Sequence, residues 1–314
     1  LTVDRPVIDP LTDTVRNTVF AGRFYPDDPA TARREVTAYL AQAVQSVAKG
    51  REAPGEPAAR RPVGGIVPHA GWVCSAAIAA ATLARLAEAG GVQVVVVFAA
   101  IHTPVPSPRG AVLDRHARWA IPGGAVDVAV DLRERLLAEP GGLLVADDRF
   151  HDREHAVEVE LPLIAAAFPG AQVLPVEVPV NDAAVAIGQS VAATVATMGL
   201  SAIYLASTDL THYGPGYGFT PAGVGPAGLE WAKQNDRRLL DLVCNMAAGQ
   251  IVPHVRQHRS ACGAGAIAAM LAAAASAGAT AGQVLRHASS YQTLASVAPQ
   301  PPVDAVGYAA VVVG

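Results

Sequence analysis

The segment Ala202 to Tyr213, AIYLASTDLTHY, decides the architecture. Ile203-Tyr204-Leu205-Ala206 is a short apolar run and reads as a buried strand. It ends abruptly in Ser207, Thr208, Asp209, Thr211 and His212, polar groups that cannot stay buried without partners. Two earlier runs end the same way. Gly64 to Pro68 stops at His69, and Val92 to Ala100, with its successive valines from Val94 to Val97, stops near His102. The expectation is an α/β fold with a central, mostly parallel or mixed sheet flanked by helices. Its site should lie at the carboxyl ends of the strands, the usual ligand position in open α/β sheets.

Outward from these strands, Asp28-Pro29 is a helix start, with an acidic cap and proline at the first helical position, and predicts a helix to about Ala48. Residues 49–62 read as a loop and residues 1–18 as an N-terminal arm. Helices are expected over Ser75–Ala89, Asp131–Ala138, Ala183–Met198 and Gly228–Ala248. One opening at His151 should run to about Ala167, and an alanine-rich one follows Cys262-Gly263. Further strands are expected over Val173–Val178, Val284–Ala288 and Val306–Val313. Ala111–Leu113, Arg118–Ile121 and Val126–Val128 read as a hairpin-like excursion. The Gly- and Pro-rich stretch Gly214–Gly228 reads as a mobile loop placed to act as a lid. No repeat or linker breaks the chain, which is taken as a single domain over residues 1–314.

A net charge of −4 leaves no basic footprint for nucleic acid. No uninterrupted apolar stretch reaches the roughly 18 residues that a membrane span needs. The N-terminus has no basic region followed by an apolar core. Three sparse cysteines, Cys74, Cys244 and Cys262, fit reduced thiols. A cytoplasmic protein that binds neither nucleic acid nor membrane is expected.

His69, His102 and His212 each follow an apolar strand. Imidazole suits iron, copper and zinc, and a thiolate favours the softer metals. Cys262 precedes a helix, whose N-terminal amides favour a thiolate, and its glycine neighbours allow close approach. Cys74 and Cys244 fall on apolar helix faces and read as core. Asp209 and His212, three residues apart past a strand, can form a general acid/base pair. Glu154, His155 and Glu158 sit on the expected helix, with His155 and Glu158 at i, i+3, where they form either a second shell or an exposed charged face.

Six segments then carry a family resemblance: Ala21-Gly22-Arg23-Phe24-Tyr25-Pro26, Pro68-His69-Ala70-Gly71-Trp72, Ile101-His102-Thr103, Glu154-His155-Ala156-Val157-Glu158, Ser207-Thr208-Asp209-Leu210-Thr211-His212-Tyr213 and Cys262-Gly263. In this order they resemble the Memo family, which includes the AmmeMemoRadiSam system protein B members. The resemblance implies the fold of class III extradiol ring-cleaving dioxygenases. It implies a metal held by His69, His102 and Cys262, with Asp209 and His212 beside it as the catalytic pair. Iron (Fe2+) is the expected metal, with copper and zinc as alternatives. Trp72, Ile101, Thr103, His155, Glu158 and Tyr213 are expected to line the pocket or support the ligands. The chain departs from the family pattern in reading Ala99-Ala100-Ile101 before His102, Trp72 where Tyr is common, and Glu160 where Gln or His is common.

Two functional readings follow. The first is a mononuclear non-haem metal oxidoreductase acting with O2 on a small, aromatic substrate. The second, suggested by the family's name, is a metal-binding partner of a radical S-adenosylmethionine enzyme, or a metal-handling adaptor. A zinc-dependent hydrolase, or Cys262 acting as a nucleophile with His212 as its base, remain further alternatives.

Overall fold

The computed structural model describes residues 14–50, 61–299 and 301–314. The centre is a sheet of four parallel strands in the order Gly64–Val67, Ala202–Ser207, Val94–Ala99 and Gln172–Glu177. Beyond Gln172–Glu177 lie Ala111–Leu113, antiparallel to it, and Leu144–Ala146. On the other flank Ala305–Val313 runs antiparallel to Gly64–Val67, Gly282–Ser289 and His212–Tyr213. The expected mixed α/β sheet is therefore present.

Its two faces follow from the period-2 alternation of strand side chains. Val95, Val97, Ala99, Ile203 and Leu205 pack against the layer containing Pro29–Gly50, Trp72–Ala87 and Leu161–Ala167. Val94, Val96, Phe98, Tyr204 and Ala206 face the opposite layer, which contains Ala184–Thr197, Ala264–Ser276 and Ala248–His258. Every residue of Val94–Ala99 is buried, as a parallel strand covered on both faces requires. Helix Ala264–Ser276 is rich in alanine, and that lets it lie close to its neighbours. At Gly188 of helix Ala184–Thr197, a Cβ would collide with the Ala269 carbonyl.

Several expectations are corrected. The expected arm lies partly outside the described residues, but Val15–Arg16 is a strand parallel to Arg118–Trp119, and Arg16 is buried. Ala111–Leu113 belongs to the main sheet; only Arg118–Ile121 and Gly124–Asp127 form the hairpin. The helix from His151 does not form. Residues 151–157 are irregular, Glu158–Glu160 is a 3-10 turn, and the α-helix spans Leu161–Ala167, with Pro162 in its first turn. The helix expected over Gly228–Ala248 spans Pro226–Cys244, and a separate helix, Ala248–His258, follows it.

Candidate metal centre

Strand register assembles the site. Ser207 pairs with Val67 on one side and Ala99 on the other, so the three strand ends form one row. His69 and Asp209 lie two residues past that row, and His102 lies three past it. The loop at residues 151–157 brings His155 to the same place. The His69 ring centroid is 5.0 Å from that of His102 and 5.1 Å from that of His155, and the last two are 4.5 Å apart. One ring nitrogen from each histidine falls within 4.8 Å of the others.

Hydrogen bonds select which nitrogens face inward. Glu154 Oε1 accepts from His102 Nδ1 at 2.9 Å and stands 3.1 Å from His155 Nδ1; it also accepts the His155 and Ala156 amides. Ser207 Oγ donates to the Ala156 carbonyl, so it must accept from His69 Nδ1, 2.9 Å away. Each of the three Nδ1 atoms thus lies against a protein acceptor, which leaves Nε2 as the nitrogen available to a metal, the arrangement that orients metal-binding histidines.

Burial holds His69 well below its ordinary pKa, and the neighbouring His102 and His155 add to the effect. Burial also lowers His102, but hydrogen bonds to Cys262 and Glu154 outweigh it and push it up to about 10. A cation at His102 Nε2 would therefore compete with a proton. Burial alone would raise Glu154; the hydrogen bonds from His102 and His155 win and keep it a carboxylate well below the usual range.

Cys262 approaches both His69 and His102. Its Sγ is 3.3 Å from His69 Nε2 and accepts the Asp209 amide at 3.2 Å. The Gly263 amide donates to Thr208 Oγ1 at 2.9 Å, and a Cβ on Gly263 would come within 2.7 Å of the Thr208 side chain. Glycine here lets the helix start close against the strand end. Cys74 and Cys244 are only partly buried.

Asp209 is buried, accepts the His69 amide at 2.9 Å, and is pushed up to about 7 by burial. His212 lies beside it on the short strand paired to Ala305–Val306. The closest approach of Asp209 Oδ2 to His212 Nε2 is 4.0 Å, longer than a hydrogen bond. Burial, then the proximity of His102 and His155, lowers His212 to about 4, and its Nε2 has no hydrogen-bond partner. Burial, and then the nearby Asp209, push the buried Glu160 carboxyl well above its ordinary pKa.

The remaining expected pocket residues separate. Ile101 is half-buried and Thr103 is buried, with its hydroxyl unpartnered. Trp72 is core rather than pocket wall: it stacks on Tyr25 and donates Nε1 to the Val159 carbonyl. Glu158 is buried, and it opens a 3-10 turn rather than lying on an α-helix. It pairs with Arg16 at 2.7 Å and accepts the Val19 and Phe20 amides and the Tyr25 hydroxyl. It thereby fixes the segment whose Phe20 and Phe24 rings pack on His155. Tyr213 is buried, and its hydroxyl ties down the following loop by donating to the Gly223 carbonyl. That loop is internally bonded between Gly214 and Phe219, anchored by the Gly216 amide on Asp304, and places Tyr217 against His212.

The sequence reading offered Glu154 and His155 as a second shell; it missed that the His155 ring joins those of His69 and His102 and that Ser207 accepts from His69. Pro162, which marks the true helix start, was the available signal.

A mixed sheet with three imidazoles and a thiol gathered at its parallel strand ends defines a protein of the dioxygenase-like α/β fold. A family model described as Memo-like protein matches residues 16–312, and the chain belongs to the Memo family. It is 32% identical over 303 residues to a MEMO1 family protein of Methanococcoides burtonii, covering 95% of this chain and 100% of the relative. Similar proteins include MEMO1 family members of Methanosarcina acetivorans, at 30% identity covering 95% of this chain and 99% of the relative, and of Pyrococcus furiosus, at 30% identity covering 95% and 98%. No described helix is long and apolar enough to cross a membrane.

Proposed function

We propose that the chain is a mononuclear non-haem metal oxidoreductase, with iron as its metal, acting with O2 on a small aromatic substrate. The observation carrying this reading is the convergence of one ring nitrogen from each of three histidines, whose Nδ1 atoms all lie against protein acceptors, beside a neutral histidine that lines a cleft. The donor set fits a metal: His69, His102 and His155 would hold it, with Cys262, which approaches both His69 and His102, as a fourth donor. Imidazoles with a thiolate suit iron, copper or zinc. Bound iron would supply a site for activating O2 and for gripping substrate oxygens.

The protein's own residues would supply the rest. His212 is neutral, and its Nε2 is free to accept a proton from a substrate hydroxyl. Asp209, when ionised, would stabilise the resulting imidazolium from 4.0 Å. Glu154 and Ser207 keep the ligand rings from turning. Elemental analysis of the purified protein, followed by anaerobic iron loading and O2 uptake with catechol- and aminophenol-type compounds, tests the reading. Metal-dependent O2 consumption that is lost in His69→Ala supports it. Bound zinc with no O2 consumption across a broad panel would overturn it in favour of a hydrolase.

A further inference from the structure

The cleft that opens onto Cys262 and His212 has a volume of about 350 Å3. Its walls are apolar, from Val180, Leu210 and Val255, and it also carries two exposed arginines, Arg256 and Arg259. The arginines differ. Arg256 is occupied: Nη1 lies 3.1 Å from Asp182 Oδ1, and Nη2 donates to the Val180 carbonyl. Arg259 lies over the Phe219 ring, its Cζ 4.4 Å from the centroid, and among the described residues no carboxylate pairs with it.

The backbone adds an independent observation. Arg259 caps helix Ala248–His258 in the left-handed region, at φ 50°. Glycine is the usual residue at such a cap, because a Cβ is disfavoured there. A strained position at the mouth of the cleft therefore carries a guanidinium, braced on an aromatic ring and without an acidic partner. Strain of this kind persists where the surrounding structure enforces it, and it concentrates at ligand sites.

We propose that the cleft takes an anionic ligand: a compact molecule with a flat apolar body and a carboxylate or phosphate head group. Arg259 pairs with the head group, Arg256 adds a second positive charge beside it, and the body lies between the apolar walls and points towards Cys262 and His212. This deepens the oxidoreductase reading, on which it rests for calling the ligand a substrate. The planar fork of arginine suits either head group. A cleft of this volume accommodates a small molecule.

The test is calorimetric binding to the full chain loaded with zinc, which is redox-silent. Phenol, 4-hydroxybenzoate and phenyl phosphate share a ring and differ in head group. At least one anionic probe should bind about tenfold or more tightly than phenol, as expected for a charge-assisted hydrogen bond, and the advantage should shrink with added salt. The stronger anionic probe identifies the head group. Arg259→Gly and Arg259→Met should both reduce the advantage to near unity with zinc content unchanged. Arg259→Gly should keep or raise the melting temperature, because glycine relaxes the cap. Equal binding of all three probes overturns the inference, and so does a preference that survives both substitutions, which would place the anion on the metal. If O2 chemistry is absent but the preference holds, only the oxidoreductase reading falls; if O2 is consumed without the preference, only this inference falls.

Discussion

Glu154 grips His102 twice: Oε2 accepts its backbone amide at 2.5 Å and Oε1 accepts its Nδ1 at 2.9 Å. Because Oε1 also serves His155, one buried carboxylate orients two of the three imidazoles. All its contacts come from donors. In Glu154→Gln, one end becomes an NH2 group facing an N–H, and the ring orientation is lost. Metal affinity, measured by competition with a chelator, should fall roughly 10–100-fold, as for other groups that orient metal-bound histidines. Unchanged affinity would show that the rings hold themselves.

The donor set makes a graded prediction. His69→Ala, His102→Ala and His155→Ala should each abolish stoichiometric metal in elemental analysis. Cys262→Ala should retain metal with weakened affinity, since the three imidazoles remain gathered without it. Full retention in His155→Ala with loss in Cys262→Ala would return the third ligand to the thiolate.

His212 should be separable from metal binding. His212→Asn should keep the wild-type metal content and lower turnover by about 10²–10⁴-fold, the usual contribution of a positioned acid/base. Metal loss in this variant would make His212 a ligand instead.

Gly188 sets the spacing between helices Ala184–Thr197 and Ala264–Ser276. Gly188→Ala places a methyl against the Ala269 carbonyl, and its overpacking cost of about 1–3 kcal/mol should exceed any gain in helix propensity. Thermal denaturation should show a lower melting point. A higher one would mean that the helices separate freely.

His116 offers a pH-dependent test remote from the centre. Its Nδ1 is 3.1 Å from Asp114 Oδ2, a hydrogen bond that raises its pKa above the ordinary 6.5 against the opposing effect of burial. A histidine raised on folding contributes stability that is fully present below about pH 6.5 and is lost as pH rises through the folded value. His116→Ala should therefore destabilise more at pH 5.5 than at pH 9, by up to about 1 kcal/mol for this partly exposed pair. Equal melting shifts at both pH values would remove the charge from the account.

The parallel centre was readable because Val94–Val97 and Ile203–Ala206 are apolar on both faces, as only a doubly covered strand is. His69, His102 and Asp209 were readable because each interrupts such a run at its end. His155 was misread because His155 and Glu158 repeat at helical spacing, while their real partners, Phe20, Phe24 and Arg16, lie far away in the chain. Pro253 concealed helix Ala248–His258, which carries it in its interior. That error hid the cleft arginines, since Arg259 acquires its position only as the cap of that helix. Trp72 was placed by its neighbour His69, but a tryptophan whose N–H finds a carbonyl can turn into the core.

Each inward-facing donor belongs to a different stretch of polypeptide, and no two of these stretches are consecutive in the fold. An ion seated among them would therefore act as a removable rivet across the carboxyl ends of the strands: its capture would tighten the molecule, and its extraction would loosen segments far apart in the chain. Occupancy and resistance to unfolding would then rise and fall together.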